Sequence, residues 1–371
     1  MIYLDHNATT PVRPEARAAM LAALDVTGNA SSVHGAGRAA RRLVEDARDA
    51  VARLVDARPA DIVFTSGATE ANNQVLRGAG RSRQIISATE HDSVLAAAAA
   101  DAEILPVDGD GVVDLDALAG MLASGGGDCI VAVMLVNNET GVIQPVADVV
   151  RIAHDAGALV HVDAVQALGR MPLSFRDLGA DFMSISGHKV GAAVGTGALI
   201  IRPGLAPAAL LRGGGQERRY RAGTENISGI SALGAVSREL MEDDSWLDAA
   251  RDARDRLESD LAQCGYDITV FGAGAPRVAT TCCFGLAGVD AERMLMALDL
   301  DGVAVSSGSA CSSGKVTPSH VLQAMGVGPD LARSAIRVSF GWNSAAEDGE
   351  RFIEAWRRAV GRMRPAVATA A

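Results

Sequence analysis

Short apolar runs alternate with amphipathic runs from about residue 60 to about residue 200. The apolar runs are dominated by Val, Ile and Leu, as is typical of buried strands. They predict strands at Asp61–Thr65, Gln84–Ala88, Glu103–Val107, Cys129–Val136, Leu159–Val162, Asp181–Ile185 and Ala198–Ile201. Helical periodicity between them predicts helices that include Ala68–Leu76, Leu115–Leu122 and Val146–Ala156. This alternation predicts an α/β fold with a mostly parallel sheet covered by helices, whose ligands bind at the carboxyl ends of the strands.

The pattern changes on both sides of this region. An extended start, Ile2 to Pro11, precedes two helical runs, the second over about Ala39–Leu54. After about residue 245 the pattern predicts three helices and three strands. The first two helices are the charged helix Trp246–Gln263 and Ala291–Leu300, and the last ends near Arg362. The strands are Ile268–Phe271, Val278–Phe284 and Ala335–Phe340. We therefore expect a large domain over residues 14–245 and a smaller α+β domain formed by residues 1–13 and 246–371.

Composition and charge narrow the possible functions. The chain is 49% hydrophobic and 21% charged, which is typical of a globular protein. Its net charge of −11 argues against binding to nucleic acid or to anionic membranes. Met1–Asp5 lacks the features of a signal peptide, and the apolar run Cys129–Val136 is too short to cross a bilayer. Five cysteines without a Cys-x-x-Cys pair indicate reduced thiols, so we expect a cytoplasmic protein.

Two charged residues follow predicted strands and suggest a cofactor. Lys189 lies just beyond the strand Asp181–Ile185, and Asp163 ends the preceding strand. A lysine can form a Schiff base when its surroundings lower its pKa. A carboxylate at the end of an apolar strand is costly unless it meets a cation, such as the pyridinium nitrogen of pyridoxal 5'-phosphate (PLP). The alternative for Asp163 is an ordinary helix cap.

Two further segments lie at the same predicted edge. Thr65–Glu70, between a strand and a helix, is rich in small and hydroxyl residues, which can surround an anion at a helix N-terminus. The alternative is a capping box. His91 also follows a strand, and its ring could stack on a cofactor. A histidine at this position is more often a helix cap or a surface residue, so both interpretations stay open.

Cys311 differs from the other cysteines because it lies in a loop of small residues, Val305–Gly314. Such a loop buries little apolar surface and can move. Exposure and nearby cations would favour the thiolate, which is the reactive form of cysteine. The alternative is an exposed turn in which the cysteine has no role.

These segments together resemble a known family. The chain contains, in order, TSGATE (65–70), EH (90–91), NNE (137–139), HVDAVQ (161–166), SGHK (186–189), RAGTEN (221–226) and SSGSAC (306–311). The set is similar to that of cysteine desulfurases of the NifS/IscS-like group, in the class V aminotransferase superfamily of PLP enzymes. The similarity begins at Tyr3 and runs to the last helix. Any one motif is weak, but the ordered set is specific.

The resemblance implies a type I PLP-dependent transferase fold and a role for each matching position. Lys189 would hold the cofactor and Cys311 would take sulfur from L-cysteine as a persulfide, with His91 as the proton shuttle. The other implied cofactor contacts are Asp163 on the pyridine nitrogen, Gln166 on the ring oxygen, His91 on the ring face, and Ala68, Thr69, Ser186 and His188 around the phosphate. Asn138 and Arg337 would bind the substrate carboxylate. Thr224 would reach the phosphate from the second subunit of a homodimer, and the persulfide sulfur would pass to an acceptor such as an iron–sulfur scaffold or a sulfurtransferase.

Other functions fit the sequence less well. Selenocysteine lyase or another class V PLP reaction stays open, although Cys311 argues against a transaminase. A scaffold protein without activity conflicts with the intact set of site residues. Gly35–Ala40 fits a dinucleotide-binding motif, but no apolar strand precedes it as that motif requires. His161 and Asp163 have no third ligand at suitable spacing, so no metal site is expected.

Overall fold

The strands and helices follow the sequence pattern closely. The computed structural model describes residues 1–123, 125–307 and 318–363. Its strands are β1 (Ile2–Tyr3), β2 (Ile62–Thr65), β3 (Arg83–Ser87), β4 (Glu103–Leu105), β5 (Cys129–Met134), β6 (Leu159–Asp163), β7 (Phe182–Ser186), β8 (Gly197–Ile201), β9 (Thr269–Val270), β10 (Thr281–Gly285), β11 (Val303–Ala304), β12 (Ser306–Ser307) and β13 (Ile336–Ser339). Its α-helices are α1 (Pro14–Leu24), α2 (Gly35–Leu54), α3 (Ala68–Gly78), α4 (Asp92–Leu95), α5 (Leu115–Leu122), α6 (Val146–Asp155), α7 (Phe175–Leu178), α8 (Ile227–Glu242), α9 (Trp246–Ala262), α10 (Ala291–Leu300), α11 (His320–Ala324), α12 (Pro329–Ala332) and α13 (Asp348–Met363).

Strands β2 to β8 form one seven-stranded sheet in the order β2-β8-β7-β6-β5-β3-β4. Strands β4, β3, β5, β6 and β7 are mutually parallel, whereas β8 runs antiparallel to both of its neighbours. The prediction of a mostly parallel sheet is therefore confirmed. Every residue of β5, β6 and β7 is buried, as expected for central strands between helix layers. Because β2 has the same direction as β3 and β5–β7, the carboxyl ends of these strands meet at one edge.

The main apolar core lies between this sheet and its helices. It includes Val44 and Val51 of α2, Val131 of β5 and Leu233 of α8. Helix α8 packs on both α1 and α2. These helices therefore cover the sheet and leave its carboxyl edge to the loops.

A second apolar cluster lies in the later part of the chain. It combines Leu4 with residues of α9, β10, α10, β13 and α13, among them Phe284 and Trp356. Strands β12, β13, β10 and β9 form an antiparallel sheet, and β1 pairs in parallel with β11. The N-terminal strand thus joins the part of the chain that follows residue 246. The boundaries of the two expected domains stay a prediction.

The segment Gly35–Ala40, which fits the dinucleotide-binding motif, forms the start of helix α2. It begins at Gly35, and the His34 side chain caps it by accepting a hydrogen bond from the Gly37 N–H at 3.2 Å. Residues 25–34 contain no strand. The motif therefore marks a capped helix start without the preceding strand that a dinucleotide-binding motif requires. Among the described helices, none is long and apolar enough to span a bilayer.

Candidate active site

A cavity of about 1040 Å³ lies at the edge where the carboxyl ends of the strands meet. Met134, Asp163 and Ser186, which end β5, β6 and β7, line it. So do most of the residues that the sequence predicts for the site: Ala68, Thr69, His91, Asn138, Asp163, Gln166, Ser186, His188, Lys189 and Arg337. Residues from the later part of the chain, including Arg337 of β13, line the other side of the cavity. The fold therefore brings these side chains together.

Lys189 lies in a single 3₁₀ turn that follows β7 directly. Its Nζ donates to the backbone carbonyl oxygens of Asn7 and Ala8, each at 2.7 Å. Burial lowers the pKa of Lys189 to about 8, and the charges of Arg170 and Arg337 act in the same direction. A substantial fraction of the amine is therefore neutral near physiological pH, as carbonyl chemistry at a lysine requires.

Asp163 ends β6 and is only 6% exposed. Its Oδ1 accepts a hydrogen bond from the Val165 N–H at 3.0 Å, and its Oδ2 accepts one from Asn72 Nδ2 at 2.8 Å. No helix begins at this position, so the alternative of a helix cap is wrong. The carboxylate is held by neutral donors at the cavity wall, an arrangement suited to a cationic partner.

Asn72 lies inside α3 and is fully buried. Its Nδ2 donates to Ser93 Oγ at 2.9 Å as well as to Asp163. Its Oδ1 accepts a hydrogen bond from Ser184 Oγ and another, at 2.8 Å, from His161 Nε2. Burial lowers the pKa of His161 to about 3, so this ring is neutral and carries its proton on Nε2. One amide thus ties α3 to β6 and β7 and fixes the position of the Asp163 carboxylate.

The N-terminus of α3 forms a cradle at the cavity wall. Ser66, Gly67, Ala68 and Thr69 line the cavity, and no side chain caps the helix at Gly67. Glu70 Oε2 accepts a hydrogen bond from the Ser66 N–H at 2.9 Å, so only half of the alternative capping box exists. Gly67 has φ +152°, which favours glycine. The uncapped N–H groups at this helix start suit an anion such as a phosphate.

His91 is both a helix cap and a cavity residue. Its Nδ1 accepts a hydrogen bond from the Ser93 N–H at 3.0 Å at the start of α4, which confirms the capping interpretation. The ring also lines the cavity. Since Nδ1 accepts, the neutral ring carries its proton on Nε2. Capping therefore fixes the ring without preventing a second role.

Arg337 is buried on β13, and its guanidinium makes two hydrogen bonds to other described residues. Its guanidinium donates to the Asn138 carbonyl oxygen at 2.9 Å and to Asp5 Oδ1 at 2.8 Å. Its Nε has no hydrogen-bond partner among the described residues. A guanidinium carries five N–H donors, so donors remain for a ligand carboxylate.

His188 and Gln166 complete the part of the cavity near Lys189. His188 Nδ1 lies 3.2 Å from Thr9 Oγ1, and burial together with the Lys189 charge lowers the pKa of His188 to about 4. Gln166 Nε2 donates to the Asn7 carbonyl oxygen at 3.0 Å. The histidine is therefore neutral at physiological pH and can act as a hydrogen-bond donor.

Two buried carboxyl groups lie near the cavity: Glu139 lines it, and Glu90 lies behind it, in contact with the cavity residue Met134. Glu90 is fully buried, and burial raises its pKa well above the ordinary value, with the negative charge of Asp163 adding to this effect. Its Oε1 accepts from the Met134 N–H at 2.5 Å. Burial raises the pKa of Glu139 to about 7, and Glu139 Oε2 accepts from Ser319 Oγ at 2.5 Å. Ser319 also caps α11, so Glu139 anchors the start of that helix to the cavity wall.

The structure does not bring Thr224 into this cavity, and Cys311 lies outside the described residues. Thr224 is exposed. Among the other cysteines, Cys129, Cys282 and Cys283 are buried, whereas Cys264 is half-buried. In the parts of the chain that the structure describes, no cluster of three or more His, Cys, Asp or Glu residues could hold a metal ion.

Several residues of the site have no predicted role from the sequence. They are Asn7 and Ala8, which accept from Lys189, Asn72, which holds Asp163, Arg170, which contacts Gln166, and Glu139, which contacts Ser319. One signal was available. Asn72 occupies a position of the buried stripe of α3, between Ala71 and Val75, where an apolar residue is the rule.

Comparisons with known proteins agree with this geometry. Residues 2–352 match the family model described as aminotransferase class-V. The chain is 39% identical to an "IscS-like cysteine desulfurase" of Mycobacterium tuberculosis over 100% of its own length and 99% of the relative. It is 41% identical to a "Cysteine desulfurase" of Cereibacter sphaeroides, covering 98% and 96% of the two chains.

A solved structure has the same fold. The X-ray structure of a NifS-like protein from Rickettsia africae superposes with a TM-score of 0.91 at 34% identity, covering 97% of this chain and 99% of the other. The resemblance seen in the ordered motifs and the predicted fold class are therefore confirmed.

Proposed function

The chain belongs to the aminotransferase class-V family, and from that premise we propose that it is a PLP-dependent cysteine desulfurase. It removes sulfur from L-cysteine, releases L-alanine and keeps the sulfur as a persulfide on Cys311. One observation carries the proposal: Lys189 and Asp163 face the same cavity, together with the buried guanidinium of Arg337. Full-length relatives named as cysteine desulfurases support the choice of substrate.

The residues around the cavity fit PLP. Asp163 suits the pyridinium nitrogen because its carboxylate is buried and has only neutral donors. The uncapped start of α3, with Ala68, Thr69, Ser186 and His188, suits the phosphate. The ring of His91 and the amide of Gln166 suit the ring face and the ring oxygen. When bound, PLP supplies an electron sink for the carbon next to the substrate carboxylate.

The proton transfers fall to Lys189 and His91. With its pKa lowered to about 8, Lys189 can give up a proton near neutral pH and can then accept one from the substrate Cα. The His91 ring is held by its contact with Ser93. Its Nε2 is the nitrogen that can exchange a proton in the cavity.

Substrate orientation depends on Arg337 and Asn138. Arg337 is anchored by Asp5 and by the Asn138 carbonyl oxygen. Its remaining N–H donors and the Asn138 side chain bind the carboxylate of the amino acid. This places the substrate between β13 and the sheet edge.

The sulfur step balances without an outside oxidant. Cysteine and the thiol of Cys311 give alanine and a Cys311 persulfide. An S–S bond forms as the Cβ–S bond of the substrate breaks, and the electron pair left on Cβ takes a proton to complete the methyl group of alanine. The thiolate is the attacking form. Cys311 carries this role from the sequence resemblance.

The proposal extends to a homodimer and a sulfur acceptor. Thr224 is exposed and does not line the cavity of its own chain, which supports a contact with the phosphate of a second subunit. The acceptor is a protein, such as an iron–sulfur scaffold or a sulfurtransferase. The net charge of −11 argues against direct transfer to nucleic acid. A cytoplasmic location remains the expectation.

A substrate comparison tests the proposal. The PLP-loaded protein is incubated with L-cysteine or L-selenocysteine and a thiol reductant, and alanine is quantified. We expect alanine from cysteine in the wild type and in the matched control C264S, and none in K189A or C311A. Alanine from selenocysteine alone would identify a selenocysteine lyase. No alanine from either substrate would point to another class V reaction.

A further inference from the structure

In the part of the chain that the structure describes, Arg170 is a buried cation without an anionic partner. Four arginines are buried in the described part of the chain: Arg13, Arg48, Arg170 and Arg337. Three of them form ion pairs, Arg13 with Glu239, Arg48 with Glu217, and Arg337 with Asp5. For Arg170 no carboxylate lies within ion-pair distance among the described residues, although a buried charge usually requires one.

The contacts of Arg170 are all neutral oxygens close to Lys189. Its NH1 donates to the Gln166 side-chain Oε1 and, at 3.2 Å, to the Gln166 carbonyl oxygen. Its NH2 donates to the carbonyl oxygens of His6 at 3.4 Å and Lys189 at 3.5 Å. Burial lowers the pKa of Arg170 to about 9, so the guanidinium stays charged at neutral pH. Its charge is therefore not neutralised locally.

The charges around Lys189 show where this uncompensated cation acts. Besides burial, the groups that face Lys189 are the cations Arg170 and Arg337 and the carboxylates Asp5 and Asp163. His188 is adjacent and neutral at physiological pH. Because Asp5 pairs with Arg337, and Asp163 has its own donors, Arg170 remains the cation that nothing nearby offsets.

Arg170 also decides which end of the Gln166 amide faces the cavity. Gln166 Oε1 accepts from Arg170, and Gln166 Nε2 donates to the Asn7 carbonyl oxygen at 3.0 Å. Both contacts favour the same orientation of the amide. One N–H of Nε2 then remains for a ligand, so Gln166 presents a donor to the cavity.

We propose that Arg170 is a positioning residue that keeps the Lys189 amine partly neutral and turns the donor end of Gln166 toward the cavity. The first effect is a property of the protein alone. The second rests on the proposed function, because the acceptor for that donor is the ring oxygen of PLP. The two effects can therefore be tested separately.

The first test uses the protein without PLP. The pH dependence of Lys189 acetylation by acetic anhydride, followed by mass spectrometry, gives the pKa of this amine. We expect R170M and R170Q, two neutral variants of different polarity, to raise the Lys189 pKa by about one unit, which lowers the neutral fraction near neutral pH by about tenfold. R170K keeps a cation and should stay within about half a unit of the wild type.

The control is R53M, which removes an exposed arginine of α2 and should leave the Lys189 pKa unchanged. An unchanged Lys189 pKa in R170M or R170Q would overturn the proposal, and so would an equal rise in R170K. If the neutral variants do not fold, R170K alone still tests the proposal. A Lys189 pKa about one unit higher in R170K than in the wild type, although the cation is retained, would contradict it.

The second test uses the PLP-loaded protein. The absorbance of the Lys189-bound cofactor is followed against pH, and PLP affinity is measured by equilibrium dialysis. We expect R170K to weaken PLP binding by about tenfold, since a single ammonium cannot reproduce the guanidinium contacts that orient Gln166. Unchanged affinity in R170K would refute the orienting role. A wild-type protein that binds no PLP would refute the proposed function, while the acetylation result would still stand.

Discussion

Replacing Asn72 by alanine should destabilise the protein and weaken its hold on the cofactor at once. Asn72 is fully buried and makes hydrogen bonds to Asp163, Ser93, His161 and Ser184. Removing it leaves those four buried groups each short of one partner. A typical buried hydrogen bond contributes about 0.5–1.5 kcal/mol, and one to a charged group about 1.5–3 kcal/mol. With partial relaxation, we expect N72A to lower the free energy of unfolding by about 3–5 kcal/mol.

The neighbouring residue offers a matched control. Asn73 lies on the same helix and is half-buried, and its side chain hydrogen-bonds, among the described residues, only to the backbone oxygens of Thr69 and Ser93. N73A should cost less than about 1 kcal/mol. Urea unfolding of both variants without PLP measures the difference, and equilibrium dialysis measures PLP affinity. Equal stabilities of N72A and N73A, together with unchanged PLP affinity in N72A, would refute the role assigned to Asn72.

Three further predictions concern stability. Burial lowers the pKa of His161 from 6.5 to about 3, so the free energy of unfolding falls as the pH drops below about 6.5. H161Q should reduce this loss of stability between about pH 7 and about pH 5 by about 2 kcal/mol, as measured by urea unfolding. E217Q removes the charge of the buried partner of Arg48 and should cost about 3–5 kcal/mol, whereas E45Q, which changes the exposed partner, should cost less than about 1 kcal/mol. S319A removes the cap of α11 and should cost about 1–2 kcal/mol by thermal unfolding, whereas S319T should retain most of the stability.

The ends of the strands could be predicted because the sequence marks them directly. The apolar runs stop at Asp163 and shortly before Lys189, and parallel strands bring their carboxyl ends to one edge. That argument places both residues at one site without any distance information. The segment Thr65–Glu70 adds the predicted phosphate cradle by the same reasoning, whereas the role of Gln166 is implied only by the family resemblance.

The residues that support the site could not be placed in this way. Arg170 lies in an irregular turn, where no periodicity shows which way a side chain points. That it has no carboxylate partner among the described residues is a three-dimensional property, which depends on elements far apart in sequence. The contact between Glu139 and Ser319 likewise joins residues from distant parts of the chain. Asn72 is different, because the sequence itself shows a polar residue in the buried stripe of α3.

Transfer of sulfur from cysteine to Cys311 is the central claim, and one measurement tests it most directly. The PLP-loaded protein reacts once with L-cysteine without reductant, and alanine and protein-bound sulfur are quantified together by mass spectrometry with peptide mapping. We predict equal amounts of alanine and of persulfide on Cys311 in the wild type and in C264S, and neither product in C311A. Alanine formed in C311A, or a persulfide on another cysteine, would contradict the account.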